Sequence, residues 1–355
     1  MILNNSHSCF WVSVFAIIVT TSCQLTEANL FMQGARVIVK KAPEIEEITC
    51  VFESKEYPAL FQICPLSSDT MFVLLRNDCE DEFKTPLCVY WAGQDSLIRD
   101  SLLNIPDIQS ISYAIKEDAC YTMISSASQV VYTLDNAAYL RGEKKVIVDT
   151  LLLKEVAPYS YFNIQSISKH GNTIVSEEGY QGRVFIRQYS LEGTLLKEYP
   201  VYNTLCYNIS DFWNTFHVKP DGEKAVMSME FLDKINYLDL LGKDHYTIIT
   251  GKRCRDKRKM KNNASVTFSQ RPSYYRNAFM TDDRIYVIYY PGVTEAKAKE
   301  LTSRPIIRVF SWDGEIEAQY RLDRSVFSCI VDESQNLLYG ITWENKIVKY
   351  SYTKN

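Results

Sequence analysis

Apolar and polar residues alternate through most of the chain beyond residue 34, the pattern of strands that bury one face. Six times a strand-like run closes on an aromatic residue just ahead of a turn, at Tyr90, Tyr132, Tyr189, Tyr237, Phe310 and Tyr350. The intervals of 42, 57, 48, 73 and 40 residues suit one small sheet each rather than one helix pair. The clearest copy is VFSCIVDE, SQNLLYGITW and ENKIVKY, from Val326 to Tyr350. A second reads NIQSISKHG, NTIVSEEGY and GRVFIRQYS, with LEGTLLKEYPV as a fourth strand after the turn at Gly193. A third runs RNAFMTD, DRIYVIYY, RPIIRVFSW and DGEIEAQYRLD. Four strands per unit is the anatomy of a propeller blade.

The pattern therefore predicts an all-β fold, a six-bladed β-propeller whose blades begin near Pro58, Asp107, Tyr161, Ile209, Pro272 and Ser325. The sixth blade has three strands of its own. An N-terminal candidate, Ala35 to Lys41 or Ile45 to Phe52, is expected beside Lys346 to Ser351, closing the ring and removing an exposed edge. No Pro, Gly or Ser-rich linker interrupts residues 34–355, which read as one domain. The insertion Pro291 to Arg304 reads as a short helix between two strands of the fifth blade.

The address is carried by the first residues. Residues 1–22 contain no Lys, Arg, Asp or Glu, and Cys9 to Val19 is an unbroken run without charge, too short to span a bilayer. It reads as the apolar segment of a signal peptide, and Thr20, Thr21, Ser22 and Cys23 behind it resemble a bacterial lipobox with Cys23 as the lipidated residue. An ordinary secretory signal and a buried strand are the alternatives. The expectation is a 1–22 lipoprotein signal, a 23–33 tether and a domain held at a membrane of the bacterial cell envelope, periplasmic or surface-exposed.

Composition agrees with strands: Tyr is abundant at 24, Gly scarce at 13, and hydrophobic residues make up 46%. A formal charge of -4 argues against nucleic acid as a partner. Most of the eight cysteines besides Cys9 and Cys23 sit singly in apolar runs, as Cys120 and Cys329 do, and read as free core thiols. Cys79 and Cys88 flank a charged turn, so a hairpin disulfide and two free thiols both remain open there.

Ile306 to Trp343 resembles the last two blades of the TolB-like six-bladed propeller lipoproteins of Bacteroides-type bacteria. The resemblance rests on the turn Phe310 to Gly314, the strand end Tyr320 to Asp323 and the strand exit Val331 to Glu333, and it is specific over about forty residues. It implies the propeller fold and the lipid anchor, and supplies no catalytic motif, no cofactor and no metal ligands.

Candidate chemistry is sparse. No H-E-x-x-H, G-x-S-x-G, Walker loop, G-x-G-x-x-G, EF-hand loop or C-x-x-C occurs. Three first-strand openings, PYSYFN, ISDFWN and PSYYRN, end in Asn163, Asn214 and Asn277. With the blades in register, Tyr161, Asn163, Trp213, Asn214, Tyr275, Arg276 and Asn277 gather at one channel mouth, where amides and flat rings suit a small polar ligand or a partner protein. The competing reading makes the Asn residues turn caps and the rings packing between blades. A metal-dependent hydrolase of lactone or ester type, using the same mouth with Asp211 or Glu177, is the enzymatic alternative. Gly251 to Asn263 is strongly basic, and Lys252, Arg253, Arg255, Lys257 and Arg258 read as a solvated loop or as a contact with an anionic membrane surface. The expectation is a monomeric, membrane-anchored binding or scaffold module without a cofactor.

Overall fold

In the computed structural model the described residues are 36–353 without 58–59, 67–69, 76–86, 100–110, 118–119, 126–129, 144, 153–163, 171–172, 181–182, 204–212, 243, 251–265 and 301. Strands dominate them, so the all-β expectation holds. The first three are short: β1 (Arg36–Val39), β2 (Glu46–Ile48) and β3 (Cys50–Glu53). Sheet I follows with β4 (Leu60–Pro65), β5 (Thr70–Leu75), β6 (Leu87–Trp91) and β7 (Ser96–Arg99). Sheet II has β8 (Ile111–Glu117), β9 (Cys120–Ser125), β10 (Val130–Asp135) and β11 (Ile147–Leu152). Sheet III has β12 (Ile164–His170), β13 (Thr173–Tyr180), β14 (Arg183–Ser190) and β15 (Leu195–Asn203). Sheet IV has β16 (Asn214–Val218), β17 (Lys224–Met229), β18 (Ile235–Asp239) and β19 (His245–Ile249). Sheet V has β20 (Pro272–Met280), β21 (Arg284–Thr294), β22 (Ile306–Ser311) and β23 (Ile316–Leu322), and sheet VI has β24 (Val326–Asp332), β25 (Leu337–Thr342) and β26 (Ile347–Ser351). Within each sheet neighbours in sequence are neighbours in space. All of these in-sheet pairs are antiparallel.

The marker aromatics all fall on third strands, β6, β10, β14, β18, β22 and β26, and all are buried, from Phe310 and Tyr350 at 0% exposed to Tyr132 at 5%. A third strand lies between two neighbours in its sheet, so its apolar face packs between adjacent sheets. One core cluster joins Val226, Tyr237 and Ile248 of sheet IV to Ile285 and Phe310 of sheet V. Another joins Val175 and Ile186 of sheet III to Phe216 and Met227 of sheet IV. Tyr132 stands inside its strand rather than at its end, because β10 continues to Asp135. There the Asp135 carboxylate accepts from the Ala138 N–H, 2.9 Å away, and caps α1 (Asn136–Leu140). The insertion in sheet V forms α2 (Glu295–Ala298), as its sequence predicts.

The three N-terminal strands are distributed over three sheets. β3 pairs antiparallel with β26, with Lys349 opposite Phe52 and Val348 opposite Glu53, and completes sheet VI as a fourth strand. This is the end of the second N-terminal candidate. The first candidate, β1, instead runs parallel to β19, and β2 runs parallel to β23, making fifth strands on sheets IV and V. Ion pairs accompany the segment, Arg36 to Asp244 at 3.2 Å and Glu47 to Arg321 at 2.9 Å. Both are solvated and contribute little. Covering sheet edges is the stronger reason for the arrangement.

The Trp312, Asp313, Gly314 turn of sheet V shows why a glycine stands there. Gly314 has φ +79°, and a Cβ on it would meet Ile248 Cδ1 and lie 3.2 Å from Tyr246 Cε2 of sheet IV. Gly314→Ala is expected to lower stability by about 1–3 kcal/mol, measured by urea denaturation. An unchanged midpoint would show that sheets IV and V do not constrain this turn.

Candidate functional site

Antiparallel pairing brings the starts of the first strands, the ends of the second strands and the starts of the third strands to one end of every sheet. Asn214 opposite Met229 and Ser228 opposite Ile235 show this in sheet IV. At this first-strand end, β-bulges recur between first and second strands. The extra residue is Phe61 in β4, Ser112 in β8, Gln165 in β12 and Phe327 in β24, each the second residue of its strand. β20 has one extra residue, Asn277, and at Tyr274 the surplus residues lie on β21, while β16 pairs regularly. A bulge unpairs one residue and sharpens the twist, which redirects the side chains around it. Five of the six repeats therefore share a means of presenting side chains at this end.

Sheets IV, V and VI meet here through Glu230, just beyond β17. Its N–H donates to the Trp213 C=O at 2.9 Å, and its own C=O accepts from the Tyr274 N–H at 2.7 Å. The Glu230 carboxylate faces Arg276 Nη2 at 3.1 Å, and the Arg276 Nε–H donates to Ser273 Oγ at 2.9 Å. Burial pushes the Glu230 carboxyl above its ordinary pKa, and the Arg276 charge opposes that shift. The same guanidinium lies over the Trp343 ring, 5.3 Å from its centroid, and the Lys299 ammonium lies 5.1 Å from that centroid. Phe327 packs on Trp343 with ring centroids 5.0 Å apart. An indole with two cations and an aromatic neighbour is a concentrated cation–π arrangement. Beside it opens a cleft of about 310 Å³ lined by Glu53, Lys299, Arg324, Ser325, Thr342, Trp343, Glu344 and Lys346.

Of the residues singled out from sequence, Trp213, Asn214, Arg276 and Asn277 stand at this end. Trp213 is 56% exposed. Asn214 Nδ2 donates to Glu177 Oε1 of sheet III at 2.8 Å, and Asn277 Nδ2 donates to Ser328 Oγ of sheet VI at 2.9 Å. Each amide thus bridges to a neighbouring sheet. Glu177 is 1% exposed, and burial pushes its carboxyl up to about 7, with the Asn214 hydrogen bond acting against that rise. Tyr275 turns inward, 1% exposed, and its hydroxyl accepts from Arg308. Tyr161 and Asn163, the basic residues Lys252, Arg253, Arg255, Lys257 and Arg258, and Cys23 and Cys79 lie outside the described residues. Cys50, Cys64, Cys120 and Cys329 are free thiols, and burial pushes that of Cys329 up to about 12. Among the described residues no three His, Cys, Asp or Glu side chains come together as metal ligands.

Glu230, Lys299 and Trp343 carry no signal in the sequence. Glu230 follows a strand as an acid at a bend, Lys299 follows a short helix, and Trp343 stands in the turn after β25. Only the pairing of distant strands joins them.

No family model matches the sequence, and no curated protein matches it. Among solved structures, a member of the duf4221 family from Bacteroides vulgatus atcc 8482 is similar in fold, with TM-score 0.51 and 10% identity, covering 88% of this chain and 98% of that one. Raptor from Chaetomium thermophilum gives TM-score 0.45 and 11% identity over 92% of this chain and 30% of that one. At such identities the first likeness concerns the fold alone.

Proposed function

We propose that the six sheets are the blades of a closed six-bladed propeller of the TolB-like lipoprotein kind, tethered through Cys23 to a membrane of the bacterial cell envelope. Its first-strand end is a channel mouth that binds a partner protein or a small polar ligand. Two observations support the ring: the first strands β12, β16, β20, β24, β4 and β8 lie against one another in that order, and β3 supplies the fourth strand of sheet VI. The observation that carries the function is the Arg276 and Glu230 pair set on Trp343 with Lys299 at the same ring. Withdrawing charges from water is unfavourable, and a rigid guanidinium beside an aromatic face suits recognition of a polar group.

A panel of short peptides and oligosaccharides, followed by thermal shift and then calorimetry, tests the mouth. A binder is expected to raise the Tm of the wild type. Trp343→Ala and Arg276→Gln are each expected to weaken that binder about tenfold. A binder indifferent to both variants, or no binder in the panel, would exclude the mouth as the site. Metal analysis addresses the hydrolase reading, since a stoichiometric divalent ion lost on Asn214→Ala and Asn277→Ala would favour it instead.

The anchor has its own test. Cys23→Ala is expected to move the protein from the membrane fraction to the soluble fraction, because several acyl chains at about 0.8 kcal/mol per buried CH2 are what hold it there. Continued acyl labelling of the variant would refute lipidation at Cys23.

A further inference from the structure

Arg308 lies in the middle of β22 with its side chain between sheets IV and V, and the residue is only 6% exposed. Its guanidinium covers the Tyr289 ring, 3.3 Å from the centroid. The Nε–H donates to Gln319 Oε1 at 2.9 Å, while Nη1 donates to the Tyr275 hydroxyl at 2.7 Å and to Thr250 Oγ1 at 3.0 Å. Gln319 is fixed in turn, its Nε2 donating to the Pro43 C=O at 2.6 Å. Among the described residues every acceptor of Arg308 is neutral. Asp233 acts electrostatically on Tyr275 and Tyr289, yet neither it nor any other acid among the described residues forms an ion pair with Arg308.

This departs from how the chain treats comparable arginines. Arg187 holds Glu178 and Glu198, Arg276 holds Glu230, and Arg284 holds Glu317 and Glu333. A buried cation without a counter-charge is strongly unfavourable, and a charged group left in that state calls for an explanation such as an absent ion. Three fixed acceptors and a stacked ring orient the guanidinium, while Nη2 makes no hydrogen bond to the described residues. Thr250 follows the last residue of β19, which ends at the first-strand end, so this group sits toward the proposed mouth.

We propose that Arg308 anchors an oxyanion-binding site between sheets IV and V, which takes the carboxylate or phosphate group of a small ligand through its planar fork. Such groups match a guanidinium edge in geometry and charge. Titration of the full chain with inorganic phosphate and, separately, with acetate, at constant ionic strength, tests it by calorimetry. Saturable binding of at least one anion is expected, and the anion that binds identifies phosphate or carboxylate as the ligand chemistry. Arg308→Gln is expected to abolish that binding, and Arg308→Lys, which keeps the charge and loses the fork, to weaken it about tenfold. The lysine variant carries the test should the glutamine variant fail to fold. Absence of saturable binding of both anions, or binding unchanged in Arg308→Lys, would overturn the site. Trp343→Ala is expected to leave anion binding unaltered, which separates this site from the mouth ligand.

Discussion

Phe310→Ala is expected to lower the free energy of unfolding by about 3–5 kcal/mol, seen as a lower denaturation midpoint with an unchanged m value. Phe310 is 0% exposed and carries no polar atom, so the whole effect comes from lost packing. It stands opposite Ile285 on one side and Ile316 on the other, and the cluster it fills also holds Val226, Ile235 and Ile248 of sheet IV. The cavity left by alanine would therefore open between two sheets rather than within one. Neither sheet can close it without moving against the other, which places the expected value in the upper range for an aromatic truncation. Trp213→Ala supplies the contrast. Its ring is 56% exposed at the first-strand end, and the substitution is expected to change stability by no more than about 0.5 kcal/mol. A loss below about 1 kcal/mol in Phe310→Ala would show that the third-strand aromatics are not the packing units of the fold.

Those aromatics were legible because burial on a third strand leaves two marks in sequence, period-two alternation and a large ring next to a turn. The pairing of β3 with β26 was legible for a related reason, since three strands ending at Tyr350 leave an edge and strands cover edges. The parallel additions of β1 and β2 were not. Three of the seven residues of Arg36–Val39 and Glu46–Ile48 are partly buried, two are exposed besides Arg36, and Ile48 alone is buried, so no apolar face points to a particular sheet. Half of the site behaved in the same way. The motif around Asn214 and Asn277 marks the first-strand end, but it does not say that the amides bridge outward to Glu177 and Ser328. Bulges settle where such side chains point, and Asn277 is an extra residue of β20 that alternation alone cannot assign to a face. Glu230, Trp343 and Arg308 were invisible because charge pairing and stacking between different strands leave no local pattern.

The amide bridge from Asn214 also fixes a pH dependence. Glu177→Gln is expected to match the wild type in stability at pH 4 and to exceed it by about 3 kcal/mol at pH 8. Burial raises the native Glu177 carboxyl from 4.5 to about 7, so the folded protein keeps a proton that the unfolded chain releases across this interval. Stability supplied by the neutral carboxyl is thus present below pH 4.5 and lost as the pH rises through 7. Glutamine cannot ionise and retains an oxygen for the Asn214 Nδ2–H, so it removes the loss and keeps the bridge. His217 lies three residues along the same strand and acts with the opposite sign. Burial takes its imidazole from 6.5 down to about 3, with its hydrogen bond to the Ala278 backbone resisting, so the unfolded chain binds the proton first and stability falls as the pH drops below 6.5. Between pH 4.5 and 6.5 the two slopes oppose each other. The difference between Glu177→Gln and the wild type isolates one of them, because His217 contributes equally to both proteins. Chemical denaturation at pH 4, 6 and 8 is expected to give a stability gap that opens steadily with pH. A gap that is constant across the three would mean that Glu177 is already ionised in the folded state, with the Asn214 bridge and its surroundings accommodating the charge.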